Sequence, residues 1–212
     1  FMTLLDVTVV NVAVPSIREG LDTTAGTVQW VVSGYALAFG LVLVGGGHLG
    51  DAYGRRRLMT IGLIAFVLAS AAVGLAPSAG LVVAARLAQG AAAGLLTPQS
   101  SGLIQELFSG PERGRAFGWF GLTVSVASGI GPVLGGGIIA LAGDDLGWRL
   151  IFLINVPVGL VALIAVRRRV RVARDDVERE HVDVVGAVIL GLTVLCLLFP
   201  LIEAESGRRL DE

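Results

Sequence analysis

The sequence predicts an all-α fold, a polytopic bundle of transmembrane helices, and three observations point to it. Of the 212 residues, 54% are hydrophobic and 16% are charged, too apolar a balance for a water-exposed surface. The charges fall in short clusters between long apolar runs. Each run is about 20 residues long, the length of helix that crosses a bilayer. The runs are continuously apolar rather than alternating, which favours helices over membrane-spanning strands.

Seven apolar stretches divide the chain into predicted segments. We expect a six-helix bundle at 1–166, a cytoplasmic arginine-rich loop at 167–181, a seventh transmembrane helix at 182–202 and a truncated outer loop at 203–212. Since the first stretch opens directly at Phe1, we expect the chain to be part of a longer protein. The stretches lie roughly at 1–16, 27–50, 58–76, 80–105, 115–141, 148–166 and 183–202.

The arginines predict the orientation. Most of them follow the second, fourth and sixth stretches, so these loops are expected to face the cytoplasm and the protein to be a multi-pass protein of the inner (plasma) membrane. Trp30, Trp119 and Trp148 lie near predicted span ends, where amphipathic rings meet lipid headgroups.

The loop between the second and third stretches reads GHLGDAYGRRRL at 47–58. Asp51 is followed by Gly54, which can take a positive φ, and then by Arg55 and Arg56, so the segment predicts a tight charged reversal. Asp51 can pair with an arginine or lie against a helix N-terminus. An ordinary positive-inside hairpin would explain the same residues.

The first and fourth stretches each contain a charged residue. Asp6 is an isolated carboxylate in a spanning helix, which is a proton or cation site by default. A structural hydrogen bond to Thr8, Asn11 or another helix is the alternative. Arg86 is expected to face the bundle interior or a partner, unless it snorkels to the outer interface.

The fifth stretch is rich in glycine around a proline. This pattern predicts a kinked helix with a smooth face against which another helix can move. The residues concerned are Gly118, Gly131, Pro132, Gly135 and Gly136. Tight static packing is the simpler explanation of the same pattern.

These segments together resemble motifs of the major facilitator superfamily, in the right order along residues 5–157. The 47–58 loop is similar to the family's signature between helices two and three, departing from it at Gly50 and Ala52, where the family usually has alanine and arginine. The 86–94 run resembles its fourth-helix motif, and the glycine-rich stretch resembles a motif of its exporters. Residues 5–15 and 147–157 resemble the drug:proton antiporter group and its fourteen-helix branch.

The resemblance implies the N-terminal half of a transporter that exports drugs or other small amphipathic compounds in exchange for protons. It implies proton or cation coupling by Asp6 and Arg86. It also implies small-molecule substrates, a surrounding bilayer and a missing C-terminal half as partners, with no cofactor, metal or nucleic acid. A cytoplasmic gate would be formed by Gly47, Asp51, Gly54, Arg55, Arg56 and Arg115, and a hinge by Gly118, Gly131, Pro132, Gly135 and Gly136.

Two other functions stay open at this point. A carrier of one metabolite or sugar is possible, although the exporter-type motif in the fifth stretch counts against an importer. A membrane-embedded enzyme is less well supported, because the two histidines, His48 and His181, have no metal-ligand spacing and no serine elbow is present.

Overall fold

The computed structural model describes residues 1–170 and, beyond them, positions 193 and 196. Residues 1–170 form α-helices joined by short turns, and no strand is found among them. The helices are α1 (Met2–Gly20), α2 (Ala25–Tyr53), α3 (Arg55–Gly74), α4 (Ala79–Leu107), α5 (Gly110–Ala142), α6 (Asp144–Leu153) and α7 (Asn155–Arg169).

Helix length and hydropathy confirm a polytopic membrane bundle. Within the described residues, α2, α3, α4, α5 and the combined segment Asp144–Arg169 are long and apolar enough to cross a membrane. The α1 helix has 19 residues and contains Asp6, Arg18 and Glu19, so it is less apolar. It packs against α5 and α6 inside the bundle.

Several observed boundaries differ from the predicted ones. The first helix continues through Pro15 to Gly20 instead of ending near residue 16. The sixth span begins at Asp144 rather than 148, because Gly143 ends α5 with a φ of 78° and acidic residues favour the first turn of the next helix. The last helix continues to Arg169. The predicted seventh helix and outer loop, and most of the arginine-rich loop, lie outside the described residues.

The sixth span is interrupted at Ile154, which separates α6 from α7. Pro157 explains the interruption, because a proline has no N–H for the carbonyl four residues earlier and its ring collides with that carbonyl. The interruption places Asn155 at the first position of α7, facing the protein interior.

Glycines allow the closest helix crossing, between α2 and α4. A Cβ atom at Gly90 would lie 2.9 Å from Tyr35 Cα, and one at Gly94 would lie 3.2 Å from Leu43 N. Only hydrogen fits at either position, so the two backbones meet directly, as at small-residue interfaces in membranes.

Trp148 does not take the headgroup position that its place in the sequence suggested. Its side chain is fully buried in the core, edge-on to Phe152, with the Arg149 guanidinium 4.4 Å from its ring centroid. Trp119 is 70% exposed on the described bundle. The position of a tryptophan near a helix end therefore does not distinguish lipid contact from core packing.

Candidate functional site

A polar cluster is buried in the middle of the apolar bundle. Its five side chains are at most 2% exposed and come from four helices. Buried polar groups are costly unless they are hydrogen-bonded, so such a cluster needs complete pairing. The members are Asp6 on α1, Ser70 on α3, Arg86 and Gln89 on α4, and Asn155 on α7.

Arg86 is the cationic member, and it points inward instead of snorkelling to the interface. Its Nη1 donates to Asp6 Oδ2 at 2.5 Å and to Gln89 Oε1 at 2.8 Å, and its Nε donates to the Val31 carbonyl at 3.0 Å. The guanidinium also lies 4.1 Å from the centroid of the Tyr35 ring. Bonds to α1 and α2 therefore fix the arginine at the centre of the bundle.

Asp6 is the anionic member and accepts hydrogen bonds on both oxygens. In addition to Arg86 at Oδ2, its Oδ1 accepts from Gln89 Nε2 and Asn155 Nδ2, both at 2.9 Å. The same two amides donate to Ser70 Oγ, at 2.6 Å and 3.2 Å. Thr8, the local alternative partner, instead bonds to backbone carbonyls of Leu4, Leu5 and Ala127.

The Asp6–Arg86 pair is a buried ion pair in which each charge compensates the other. Protonation of Asp6 would leave a buried guanidinium without its counter-ion, which costs about 3–5 kcal/mol when a buried pair loses one partner. A proton on Asp6 and the ion pair seen here therefore exclude each other unless the helices rearrange.

A cavity of about 590 Å³ lies beside the cluster and shares Arg86 with it. Its wall is mostly apolar, with a few hydroxyls such as Thr97 and Ser100 from α4. Helices α1 to α5 and α7 all contribute to it; the aromatic contributors are Phe1, Tyr35, Phe39 and Phe120. A cavity of this volume accommodates a small amphipathic molecule.

The predicted gate residues are partly brought together. Asp51 on α2 and Arg55 on α3 form an ion pair across Gly54, whose φ is 92°. Arg55 covers Gly102 of α4, and its Nη1 lies 3.5 Å from the Pro98 carbonyl oxygen.

The other gate residues lie on neighbouring helices. A Cβ at Gly47 would contact Pro98 on α4, and Arg56 Nη2 donates to the Arg167 carbonyl at 3.0 Å. Arg115 is exposed on α5, and among the described residues no ion pair joins it to Asp51.

The predicted hinge glycines divide between two faces of α5. Gly131 and Gly135 pack against α1, where an added Cβ would lie 2.7 Å from Thr8 Cβ and 3.0 Å from Val9 Cγ1. Gly118 and Gly136 have no described atom within 4 Å of such a Cβ. Pro132 lies inside the continuous helix between the two contacts.

Three members of the cluster, Gln89, Asn155 and Ser70, are not among the site residues predicted from the sequence. Gln89 follows Arg86 by three positions and so lies on the same helix face, a signal that was available. Asn155 lies in the segment 147–157 that resembles the family, but nothing in the sequence indicates its bonding partner. No sequence pattern marks Ser70. No group of three or more potential metal ligands occurs in the part of the chain that the structure describes.

A bundle of membrane-spanning helices with an ion pair at its centre and a cavity beside it is typical of polytopic transport proteins. The chain belongs to the Major Facilitator Superfamily, whose family model matches residues 1–204. This result confirms the resemblance found in the sequence.

Two relatives illustrate which members of the family the chain resembles. It is 37% identical to the "Probable actinorhodin transporter" of Streptomyces coelicolor, over 97% of this chain and 35% of that protein. It is 36% identical to the "Tetracenomycin C resistance and export protein" of Streptomyces glaucescens, over 97% of this chain and 37% of that protein. The chain thus spans little more than a third of these relatives.

The fold is also found in solved structures. A bacterial homologue of the human lysosomal transporter Spinster, in an inward-facing, occupied conformation, superposes with a TM-score of 0.70. The match covers 86% of this chain and 43% of that one at 20% identity, so it supports the fold alone.

Proposed function

We propose that the full-length protein exports drugs or other small amphipathic compounds across the inner (plasma) membrane in exchange for protons. The buried Asp6–Arg86 pair is the observation that carries the proposal. A carboxylate is retained in the membrane interior at a considerable energetic cost, and a proton site is the usual reason for its presence. The names of the two relatives, a transporter and a resistance and export protein, support export over import.

In this proposal, Asp6 alternates between a proton and Arg86. When a proton arrives, Asp6 loses its charge and releases Arg86, and the bonds that join α1 to α4 weaken together. Arg86 also lines the cavity, so the change reaches the compartment that would hold the substrate. Proton binding and cavity shape are thereby linked through one side chain.

The remaining predicted residues have proposed roles in the conformational change. Helices α2, α3 and α4 are held together at the cytoplasmic end by a group of gate residues: Gly47, Asp51, Gly54, Arg55 and Arg56. Arg115 would join this gate in another conformation, since it is solvent-exposed here. Helix α5 moves against α1 and against the missing C-terminal half by means of the hinge residues Gly118, Gly131, Pro132, Gly135 and Gly136. The C-terminal half would also complete the cavity. In this proposal the full-length protein acts as a carrier rather than as an enzyme.

Dye efflux tests the proposal. A bacterium without its own pumps, expressing the full-length gene, is loaded with cationic ethidium or uncharged Nile red, with and without a protonophore. We expect efflux of at least one dye that the protonophore stops and that Asp6→Asn abolishes at equal membrane expression. Efflux that persists with the protonophore would refute proton coupling, and no efflux of either dye would favour a carrier of one metabolite.

A further inference from the structure

Asn155 is the member of the buried cluster contributed by the sixth span. It is 1% exposed and opens α7, directly after the interruption at Ile154. The amide points at α1 and α3, where it donates to Asp6 and Ser70. A side chain held at a helix break moves when the two helix segments change their relative direction.

The Asn155 amide bridges two helices that the Arg86 pair does not join. Its Nδ2 donates to Asp6 Oδ1 on α1 at 2.9 Å and to Ser70 Oγ on α3 at 3.2 Å. Gln89 Nε2 on α4 donates to the same two oxygens. Two amides from opposite sides therefore hold one carboxylate oxygen, while Arg86 holds the other.

We propose that Asn155 is a positioning residue that keeps Asp6 ionised and directed at Arg86, so that displacement of α7 favours protonation of Asp6. The inference deepens the proposed function, since it treats Asp6 as the proton site. A donor to a carboxylate oxygen stabilises the ionised form, and loss of that donor favours the protonated form. The sixth span thereby controls proton binding on the first.

Few charged groups compete with this effect. Among the described residues, the titratable side chains facing Asp6 are Arg86 from α4 and Tyr35 from α2. The α3 helix contributes Ser70, and α7 contributes Asn155 itself. The α5 and α6 helices present no charged side chain within bonding distance of Asp6 in this part of the chain.

Infrared titration of the purified full-length protein measures protonation directly and does not depend on transport. The carbonyl stretch of the protonated Asp6 acid is isolated by subtracting the spectrum of the same protein with Asp6→Asn. The titration is repeated in Asn155→Ala, which removes the donor, and in Asn155→Asp, which keeps the shape but replaces the donor with a second carboxyl.

We expect Asn155→Ala to raise the pH of half-protonation by about one unit, a tenfold gain in proton affinity, because a hydrogen bond to a charged group has been lost. In Asn155→Asp we expect a protonated carboxyl, shared by the pair, to persist to a still higher pH, since two carboxylates in contact cannot both stay ionised. The matched control is Gln99→Glu, the same chemical change at a buried α4 amide that donates to the Gly46 carbonyl instead of to Asp6. We expect the control to leave the Asp6 midpoint unchanged.

The outcomes separate this inference from the proposed function. An Asp6 midpoint that stays at the wild-type value in both Asn155 variants, or that moves equally in Gln99→Glu, overturns the inference. An Asp6 band that is absent even in Asn155→Asp overturns it as well. A shifted midpoint in a protein that shows no proton-coupled efflux leaves the positioning role standing and refutes only the transport proposal.

Discussion

At the scale of single residues, the buried cluster depends on every member being bonded. Arg86 and Asp6 lie 80 residues apart in sequence and are fully removed from solvent, so their attraction must offset the loss of two hydration shells. Gln89, Asn155 and Ser70 complete the bonding of the pair. The site therefore tolerates coordinated changes better than single ones.

The first prediction concerns the stability of variants that lose one or both charges of the Asp6–Arg86 pair. Arg86→Gln leaves Asp6 as an uncompensated buried charge, and we expect it to lower the free energy of unfolding by about 3–5 kcal/mol. Asp6→Asn with Arg86→Gln removes both charges and should cost less than the sum of the two single changes. Thermal unfolding of the detergent-solubilised full-length variants measures the difference, and strictly additive losses would contradict a direct Asp6–Arg86 interaction.

The charged members of this cluster could be predicted from the sequence, and Gln89 could be inferred from its spacing to Arg86, but Ser70 and Asn155 could not. An aspartate and an arginine inside apolar stretches are conspicuous, because membranes rarely hold charges without a reason. Ser70 and Asn155 are ordinary in composition, and their importance depends on how three distant helices pack. Bonds across 19, 85 and 149 residues of chain are set by tertiary packing, which no local pattern encodes.

At the scale of helices, α2 and α4 form a crossing in which glycines and one glutamine fit together. Gln99 is fully buried, and its Nε2 donates to the Gly46 carbonyl at 2.6 Å. A Cβ at Gly50 would lie 2.8 Å from Gln99 Cδ. A side chain at position 50 therefore cannot be accommodated while Gln99 keeps this position.

The second prediction follows from that fit. Gly50→Ala should destabilise the protein by about 1–3 kcal/mol, because the added methyl group displaces the Gln99 amide. Gln99→Ala in the same chain should restore part of the loss by making room for the methyl group. Thermal unfolding of the single and double variants checks this, and a double variant worse than the sum of the singles would contradict it.

The third prediction tests the closest approach of the two backbones. Gly90→Ala forces a Cβ against the Tyr35 backbone, so we expect a loss of about 1–3 kcal/mol. Gly80→Ala, on the same helix, has no described atom within 4 Å of its Cβ and serves as the control. The control should be neutral or slightly stabilising, because alanine favours helix. Equal losses of stability in both variants would show that the backbones of α2 and α4 lie further apart than they do in the structure.

The helices were predictable because their apolar runs are long, whereas their ends were not. Pro15 lies inside α1 and does not end it, and Gly143 places the start of the sixth span at Asp144. The break at Ile154 involves Pro157 and a polar partner for Asn155. Only Pro157 can be recognised from the sequence.

At the scale of the whole molecule, the described helices form one bundle with a cavity on the side of the Asp6–Arg86 pair. The arginine distribution alone predicts the orientation in the membrane. The predicted orientation decides which end of the bundle the proposed Asp51–Arg55 gate would close, and so it needs its own test.

The fourth prediction concerns that orientation. In a full-length protein whose native cysteines, Cys196 included, are replaced by serine, Ser109→Cys lies between α4 and α5 and should react with an impermeant maleimide only after the cells are opened. Ser78→Cys, between α3 and α4, should react in intact cells. Both positions are exposed in the structure, so access is set by the membrane. The reverse pattern of labelling would invert the assignment of the gate.

The most direct test of proton-coupled export through Asp6 follows protons rather than dye. Inverted membrane vesicles containing the full-length protein are acidified inside, and a transported dye from the efflux assay is added outside. We predict that the dye dissipates the pH gradient in wild-type vesicles, because protons leave as it enters, and that Asp6→Asn vesicles keep their gradient. Dye accumulation without proton loss in the wild type, or equal proton loss in both, would contradict the account.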